Sequence, residues 1–196
     1  MTLVERAKNV LMQPKTEWPV IAAETVDTAT LYKTYVLPLA AIPSVASLIG
    51  MTLFGLNVPF AGHVRVPFGS ALGNAVFSYV LTLVGVYILA LVIKTLAPTF
   101  SAEPDMNRAL KVSVYSSTAS WLAGVFALIP ALGLLQLVGS IYSLYLLHLG
   151  LGALMSPPED KALTFTVTVV IAAVVLFVLV GVMAAMVFGV PGINPQ

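Results

Sequence analysis

Five long apolar runs limit the folds open to this sequence more than any other feature. They lie at about 29–54, 69–95, 109–129, 131–155 and 163–188. A bilayer core of about 30 Å is crossed by about 20 apolar residues in a helix. Only 9% of the residues are charged and the mean hydropathy is +1.01, which is far too apolar for a soluble domain. The sequence therefore predicts an all-α membrane protein, a five-helix transmembrane bundle in which 1–196 form a single domain.

The segment 1–28 precedes the first run and contains a predicted amphipathic helix at about residues 3–12. Leu3, Ala7, Val10 and Leu11 follow the spacing i, i+4, i+7 and i+8, which places them on one helical face. Such a helix either lies flat on an anionic membrane surface or packs on the cytoplasmic face of the bundle. Both arrangements need the same apolar stripe, so the sequence leaves the choice open.

The Lys and Arg residues predict the orientation of the chain in the membrane. With five spans, eight of the nine fall on one side and only Arg65 falls on the other. The positive-inside rule then gives a cytoplasmic N-terminus and an external, periplasmic C-terminus.

Proline and glycine positions predict irregular and closely packed helices. Pro38 and Pro43 remove backbone donors from the first span, so we expect that helix to be kinked or locally unwound. Gly69 and Gly73 begin the second span with the spacing that permits close approach of another helix.

Polar side chains concentrate in the third and fourth spans. If Pro130 is the tip of a helical hairpin, Ser120 lies at the depth of Ser140, and Ser117 at that of Ser143. The candidate site residues are Ser113, Ser117, Ser120, Ser140, Tyr142, Ser143, Tyr145 and His148, with Gly139 as a candidate packing position. Two interpretations stay open. Small residues let the two helices touch, or the polar groups line a pocket that opens to the cytoplasm.

Several functional classes are disfavoured by what the spans lack. No acid or base lies deep in a span, although ion- and proton-coupled transporters usually need one. The chain has no Cys, and with five spans His63 and His148 fall on opposite sides of the membrane, so we expect no metal site. Neither a Gly-x-Ser-x-Gly motif nor a carboxylate that would orient His148 is present. We therefore expect neither catalytic residues nor a cofactor, and the protein is not expected to be an enzyme.

Two stretches resemble the bacterial branch of the Yip1 domain family. These are the opening ERAKNVLMQPKTEWPVIAAE and the run YSSTASWLAGVFALIPALGLLQLVGSIYSLYLLHLGLGALMSPPEDKA. The resemblance implies five helices with a cytoplasmic N-terminus, in the bacterial cytoplasmic (inner) membrane. Eukaryotic members are Golgi and ER proteins linked to vesicle traffic and Rab-type GTPases. Their long N-terminal region is missing here, so GTPase recruitment is not carried over.

The function expected from these observations is a membrane scaffold or adaptor. Its expected partners are the lipid bilayer and other membrane proteins, or further copies of the chain, and no nucleic acid. The alternative is an uncoupled carrier, a channel-like protein or a lipid-handling protein that uses the polar pocket between spans three and four.

Overall fold

A computed structural model describes residues 1–58, 62–129 and 132–188, with side chains described outside 56–64 and 179–188. The chain begins with two short helices, α1 (Leu3–Met12) and α2 (Pro14–Ala23). Thr2 and Glu5 form a reciprocal capping box at the start of α1. Pro14 occupies the first position of α2, where its missing N–H costs no helical bond.

The first long helix, α3 (Thr28–Phe54), is irregular at both ends. The carboxylate of Asp27 accepts hydrogen bonds from the backbone and hydroxyl of Thr30, which cap the helix and lower the pKa of Asp27. Pro38 and Pro43, where we expected a kink or local unwinding, both lie in the α-helical part Leu37–Ile49. The π-helical turns lie on either side of it, at Tyr32–Val36 and Gly50–Phe54.

A short antiparallel hairpin of β1 (Leu56–Val58) and β2 (Gly62–Val64) follows α3 and leads into α4 (Phe68–Leu96). A 3₁₀ turn at Ala97–Phe100 extends α4. Together they form one of the long apolar helices of the described chain.

The third predicted span, 109–129, is not one continuous helix. It consists of α5 (Met106–Ser116), α6 (Thr118–Ala123) and a 3₁₀ helix at Gly124–Leu128. The hydroxyls at the break bond back to carbonyls of α5: Ser117 Oγ donates to the Ser113 carbonyl (2.8 Å) and Thr118 Oγ1 to the Tyr115 carbonyl (2.7 Å). Such bonds compete with the backbone ladder, and hydropathy does not reveal them. The predicted tip at Pro130 lies outside the described residues.

The chain continues through α7 (Gly133–Gly150), a π-helical turn at Leu151–Met155, and α8 (Glu159–Phe188). In the described part of the chain, four helices are long and apolar enough to cross a membrane. They are Thr28–Phe54, Phe68–Phe100, Gly133–Met155 and Glu159–Val178. The structure is thus helical apart from the hairpin, with four such helices where the sequence predicted five.

The described core is centred on α5. Every residue from Ala109 to Ser116 is buried, including the polar residues Lys111, Ser113 and Ser116. Because α5 contacts α4, α7 and the π-helical turn after α7, it organises the end of the bundle against which α1 and α2 pack.

Candidate functional site

The serines predicted to line one pocket point in different directions. Ser113 is fully buried and its hydroxyl donates to the Val86 carbonyl of α4 (2.7 Å), so it faces α4. The hydroxyls of Ser117 and Ser120 are used within their own chain segment, at 2.8 and 2.9 Å from the carbonyls of Ser113 and Ser117. The protons of all three hydroxyls therefore go to backbone carbonyls.

The contact between α6 and α7 differs in register from the expected one. The backbone N–H of Ser120 donates to Ser143 Oγ (2.9 Å), whereas Ser140 is exposed and bonds only to the Gln136 carbonyl of its own helix (3.0 Å). Counting from the hairpin tip estimates depth, but successive helical residues are rotated by about 100°. The rotation of α7 depends on its packing, in which Gly139 makes a close contact with α6.

Gly139 lies against α6 without space for a side chain. A Cβ built on it would overlap the Ala123 Cβ and lie 3.0 Å from the Ala119 carbonyl oxygen. In contrast, Gly69 and Gly73 have no described atom within 4 Å of such a Cβ, so within the described chain they do not pack against another helix. The sequence did not predict the other close glycine contacts, which are those of Gly50 with Ala127, Gly85 with Phe177, Gly124 with Pro43 and Gly150 with Trp18.

The aromatic and histidine candidates each reach a different element. The Tyr142 hydroxyl donates to the Leu11 carbonyl of α1 (2.7 Å), and Tyr145 is 41% exposed. His148 Nδ1 lies 2.8 Å from Thr166 Oγ1 of α8. The Thr166 hydroxyl also lies 2.9 Å from the Ala162 carbonyl of its own helix.

A buried charged cluster, which the sequence did not predict, joins α1 and α2 to the bundle. Arg6 forms ion pairs with Glu17 and Glu24, and the ammonium of Lys111 donates to the carbonyls of Ile21 and Glu24 at the end of α2. We call Arg6, Glu17, Glu24 and Lys111 the charged clasp. Carbonyls at a helix C-terminus lack helical partners and attract cations, so Lys111 is well placed there.

Arg6 lies at the centre of the clasp and stays fully ionised. Burial opposes its charge, but the hydrogen bond and attraction to Glu24, with the weaker influence of Tyr115 and Glu17, raise the pKa of the guanidinium. Its charge also lies over the Tyr115 ring, 5.7 Å from the centroid. The sequence contained a signal for this: Arg6 falls between Leu3 and Val10 on the apolar stripe of α1, and a charge on a buried face needs a partner.

Aromatic rings extend the clasp toward α3 and α7. Tyr115 makes edge contacts with Trp18 (6.4 Å between centroids) and Tyr35 (4.8 Å), and Tyr35 bonds to Thr118 (2.9 Å). Trp18 is only 1% exposed and lies on Gly150, so it is a core residue. The arrangement fixes α1 and α2 as part of the folded protein.

Comparison with known proteins agrees with this helical arrangement. The family model described as "Yip1 domain" matches residues 8–182, which include the clasp residues Glu17, Glu24 and Lys111 as well as all the long helices. The chain belongs to the Yip1 domain family. It is similar to the Inner membrane protein YohC of Escherichia coli strain K12, with 31% identity over 175 residues, 87% of this chain and 90% of the relative. The YohC protein of Escherichia coli O6:H1 matches to the same extent.

No solved structure matches this chain. The long apolar helices and the inner-membrane relatives together identify a multi-pass inner-membrane protein of the Yip1 domain family. The chemistry available in its described part is that of helix contacts, hydrogen-bonded hydroxyls and one charged clasp.

Proposed function

We propose that the chain crosses the membrane five times, with the N-terminus in the cytoplasm and the C-terminus outside. The broken third segment supports the fifth crossing because it follows α3 along its length. Near its start Lys111 bonds to Glu24, just before α3 begins, and near its end Ala127 lies against Gly50, close to where α3 ends. In this proposal α1 lies at the cytoplasmic surface, with the clasp on the side that carries most of the Lys and Arg residues.

Reporter fusions test this topology. A fusion after Gln196 is expected to read as external, and one inserted within 101–106 as cytoplasmic. If the fusion after Gln196 reads as cytoplasmic, the fifth crossing or the orientation is incorrect.

We propose that the protein acts as a membrane scaffold or adaptor that binds other membrane proteins through α4. The observation that carries this proposal is the open face at the start of α4. Gly69 and Gly73 have no described neighbour, and the exposed Asn74 has no hydrogen-bond partner among the described residues. Small residues let a second helix approach closely, and an amide side chain bonds across such a contact.

The polar side chains of α5 to α7 support a scaffold over a carrier. In the described structure the hydroxyls of Ser113, Ser117 and Ser120 bond to carbonyls within the protein, and His148 bonds to Thr166. A carrier path needs polar groups that face its solute. These groups face backbone instead, so the proposed activity is binding by helix surfaces and not passage through them.

Capture of partners from native membranes tests the scaffold. Crosslinked membranes containing wild-type protein, Gly73→Leu and Gly152→Leu are solubilised and compared for co-purified proteins. Gly152 also has no described atom near a built Cβ but lies in the π-helical turn after α7, away from α4, which makes it a matched control. We expect Gly73→Leu to reduce capture of a specific partner, or of a second copy, while Gly152→Leu retains it. Equal capture by all three proteins would exclude the α4 face.

We also propose that the protein is not an enzyme. His148 is held by a neutral hydroxyl, without the carboxylate that orients a catalytic histidine. A hydrolytic activity of the purified protein that His148→Ala abolishes would contradict this proposal.

A further inference from the structure

A groove of about 420 Å³ lies between the α1–α2 turn and the tyrosines of α7, apart from the α4 face. Its lining combines apolar Met12 with polar Gln13, Lys15 and Thr16 on one side, and Tyr142 and Tyr145 on the other. Lys15 is the charged residue of this lining. The adjacent carboxylate, Glu17, is buried against Arg6, so no acid faces the lysine from the groove.

The free hydrogen-bonding groups of the groove are mostly donors. The Tyr142 hydroxyl donates to the Leu11 carbonyl and the Thr16 hydroxyl to the Gln13 carbonyl (3.0 Å), so both protons are already used. Lys15, the Gln13 amide and the Tyr145 hydroxyl have no hydrogen-bond partner among the described residues. At the turn beside the groove, the C-terminus of α1 and the N-terminus of α2 share Gln13, so the opposite ends of the two helix dipoles offset each other. The cation and the donors match a phosphate group.

An exposed apolar surface continues from this groove along α7. Tyr145, Ile141, Val138 and Leu134 are spaced by four, three and four residues, and are 41, 59, 63 and 77% exposed. They form one helical face that runs from the groove toward the start of α7. A lipid with its headgroup in the groove could therefore place an acyl chain along this face. Exposed Met12, at 73%, adds apolar surface beside Lys15. A free phosphate ion would make no use of this surface.

We propose that this groove binds the phosphate headgroup of an anionic phospholipid, with Lys15 pairing the charge and Tyr145 donating a hydrogen bond. The acyl chains follow the exposed face of α7. Tyr142 is a positioning residue, because its bond to the Leu11 carbonyl holds the end of α1 against α7. This inference goes beyond the scaffold and does not depend on α4, so failure of partner capture would leave it intact.

The test uses the full chain purified in a neutral detergent and titrated with dioctanoyl-phosphatidylglycerol. Dioctanoyl-phosphatidylcholine and inorganic phosphate are titrated in parallel, and the melting temperature reports binding because a ligand of the folded state stabilises it. The proteins are wild type, Lys15→Gln, Tyr145→Phe and the control Lys8→Gln, whose lysine is exposed on α1 and does not line the groove.

We expect phosphatidylglycerol to raise the melting temperature more than phosphatidylcholine, and phosphate to leave it unchanged. Lys15→Gln should weaken the apparent affinity for phosphatidylglycerol about fivefold. Tyr145→Phe should weaken it less, and Lys8→Gln should leave it unchanged. Equal effects of Lys15→Gln and Lys8→Gln would indicate diffuse surface attraction and overturn the proposal. Phosphate as effective as the lipid would overturn it in favour of a free-anion site. If Lys15→Gln does not fold, an unchanged affinity in Tyr145→Phe overturns it and a weakened one supports it.

Discussion

The charged clasp and the α6–α7 contact both hold helices together, but by opposite physical means. In the clasp, ionised groups from α1, α2 and α5 are buried together, and each depends on a partner from another element. At the α6–α7 contact, Gly139 lies on Ala119 and Ala123, and the Ser120 and Ser140 hydroxyls bond within their own segment. The clasp therefore depends on charge partners, whereas the helix contact depends on shape.

This difference determines which substitutions each region tolerates. Removing one member of a buried ion pair leaves the other charge without compensation, which is costly. Removing a hydroxyl at the helix contact leaves most backbone hydrogen bonds in place. A single interhelical hydrogen bond in a membrane averages only about 0.6 kcal/mol. Only added volume should disturb the helix contact strongly.

The largest effect is expected for Arg6→Ala. It leaves Glu17, which is 5% exposed, as a buried carboxylate without its partner, and should destabilise the protein by about 3 kcal/mol. Unfolding in mixed detergent micelles measures the free energy. Lys8→Ala, an exposed lysine on the same helix, should change it by less than about 0.5 kcal/mol. The double variant Arg6→Met with Glu17→Leu should recover part of the stability lost in Arg6→Ala, because it leaves no buried carboxylate at position 17. If stability is not recovered, packing and not charge dominates the clasp.

An intermediate effect is expected for Gly139→Leu. The new side chain would push α6 and α7 apart at Ala119 and Ala123 and should cost about 2 kcal/mol. Val175→Leu, at a 51% exposed position on α8, is the control and should change stability little. Melting temperatures in detergent compare the two. If Gly139→Leu melts no lower than Val175→Leu, shape does not hold this contact.

The smallest effect is expected for Ser143→Ala. It removes the acceptor of the Ser120 N–H and should cost about 0.6 kcal/mol. Ser140→Ala should cost less, since the exposed Ser140 hydroxyl bonds only to its own helix. The same melting measurement separates them. A loss at Ser143 comparable with that of Arg6→Ala would remove the distinction between the two regions.

The residue types of the candidate site could be taken from the sequence, but the directions in which its side chains point could not. Hydropathy located the long helices, and counting from the predicted tip placed the third and fourth spans side by side. Neither hydropathy nor this counting predicted that Ser113 faces α4, that Tyr142 reaches α1 or that His148 reaches α8. Depth follows from sequence distance along two paired helices, but rotation about each axis depends on packing against several helices at once.

The clasp was missed for a different reason. Lys111 lies 90 residues from its partner Ile21, and a charge near the end of an apolar run is ordinarily solvated. Only the packing of α1 and α2 on α5 brings Arg6, Glu17 and Lys111 together and removes them from water.

By itself, the sequence determined the class of protein and the positions of its apolar runs, because bilayer thickness and backbone hydrogen bonding restrict a long apolar run to a helix. It also indicated the family, through the two stretches that resemble other members. Tertiary structure decided the break at Ser117, the rotation of α7, the open face of α4 and the burial of the clasp. Each of these features depends on which side chains meet across helices. Hydroxyl hydrogen bonds, the space left by a glycine and the pairing of charges all act at these short-range contacts.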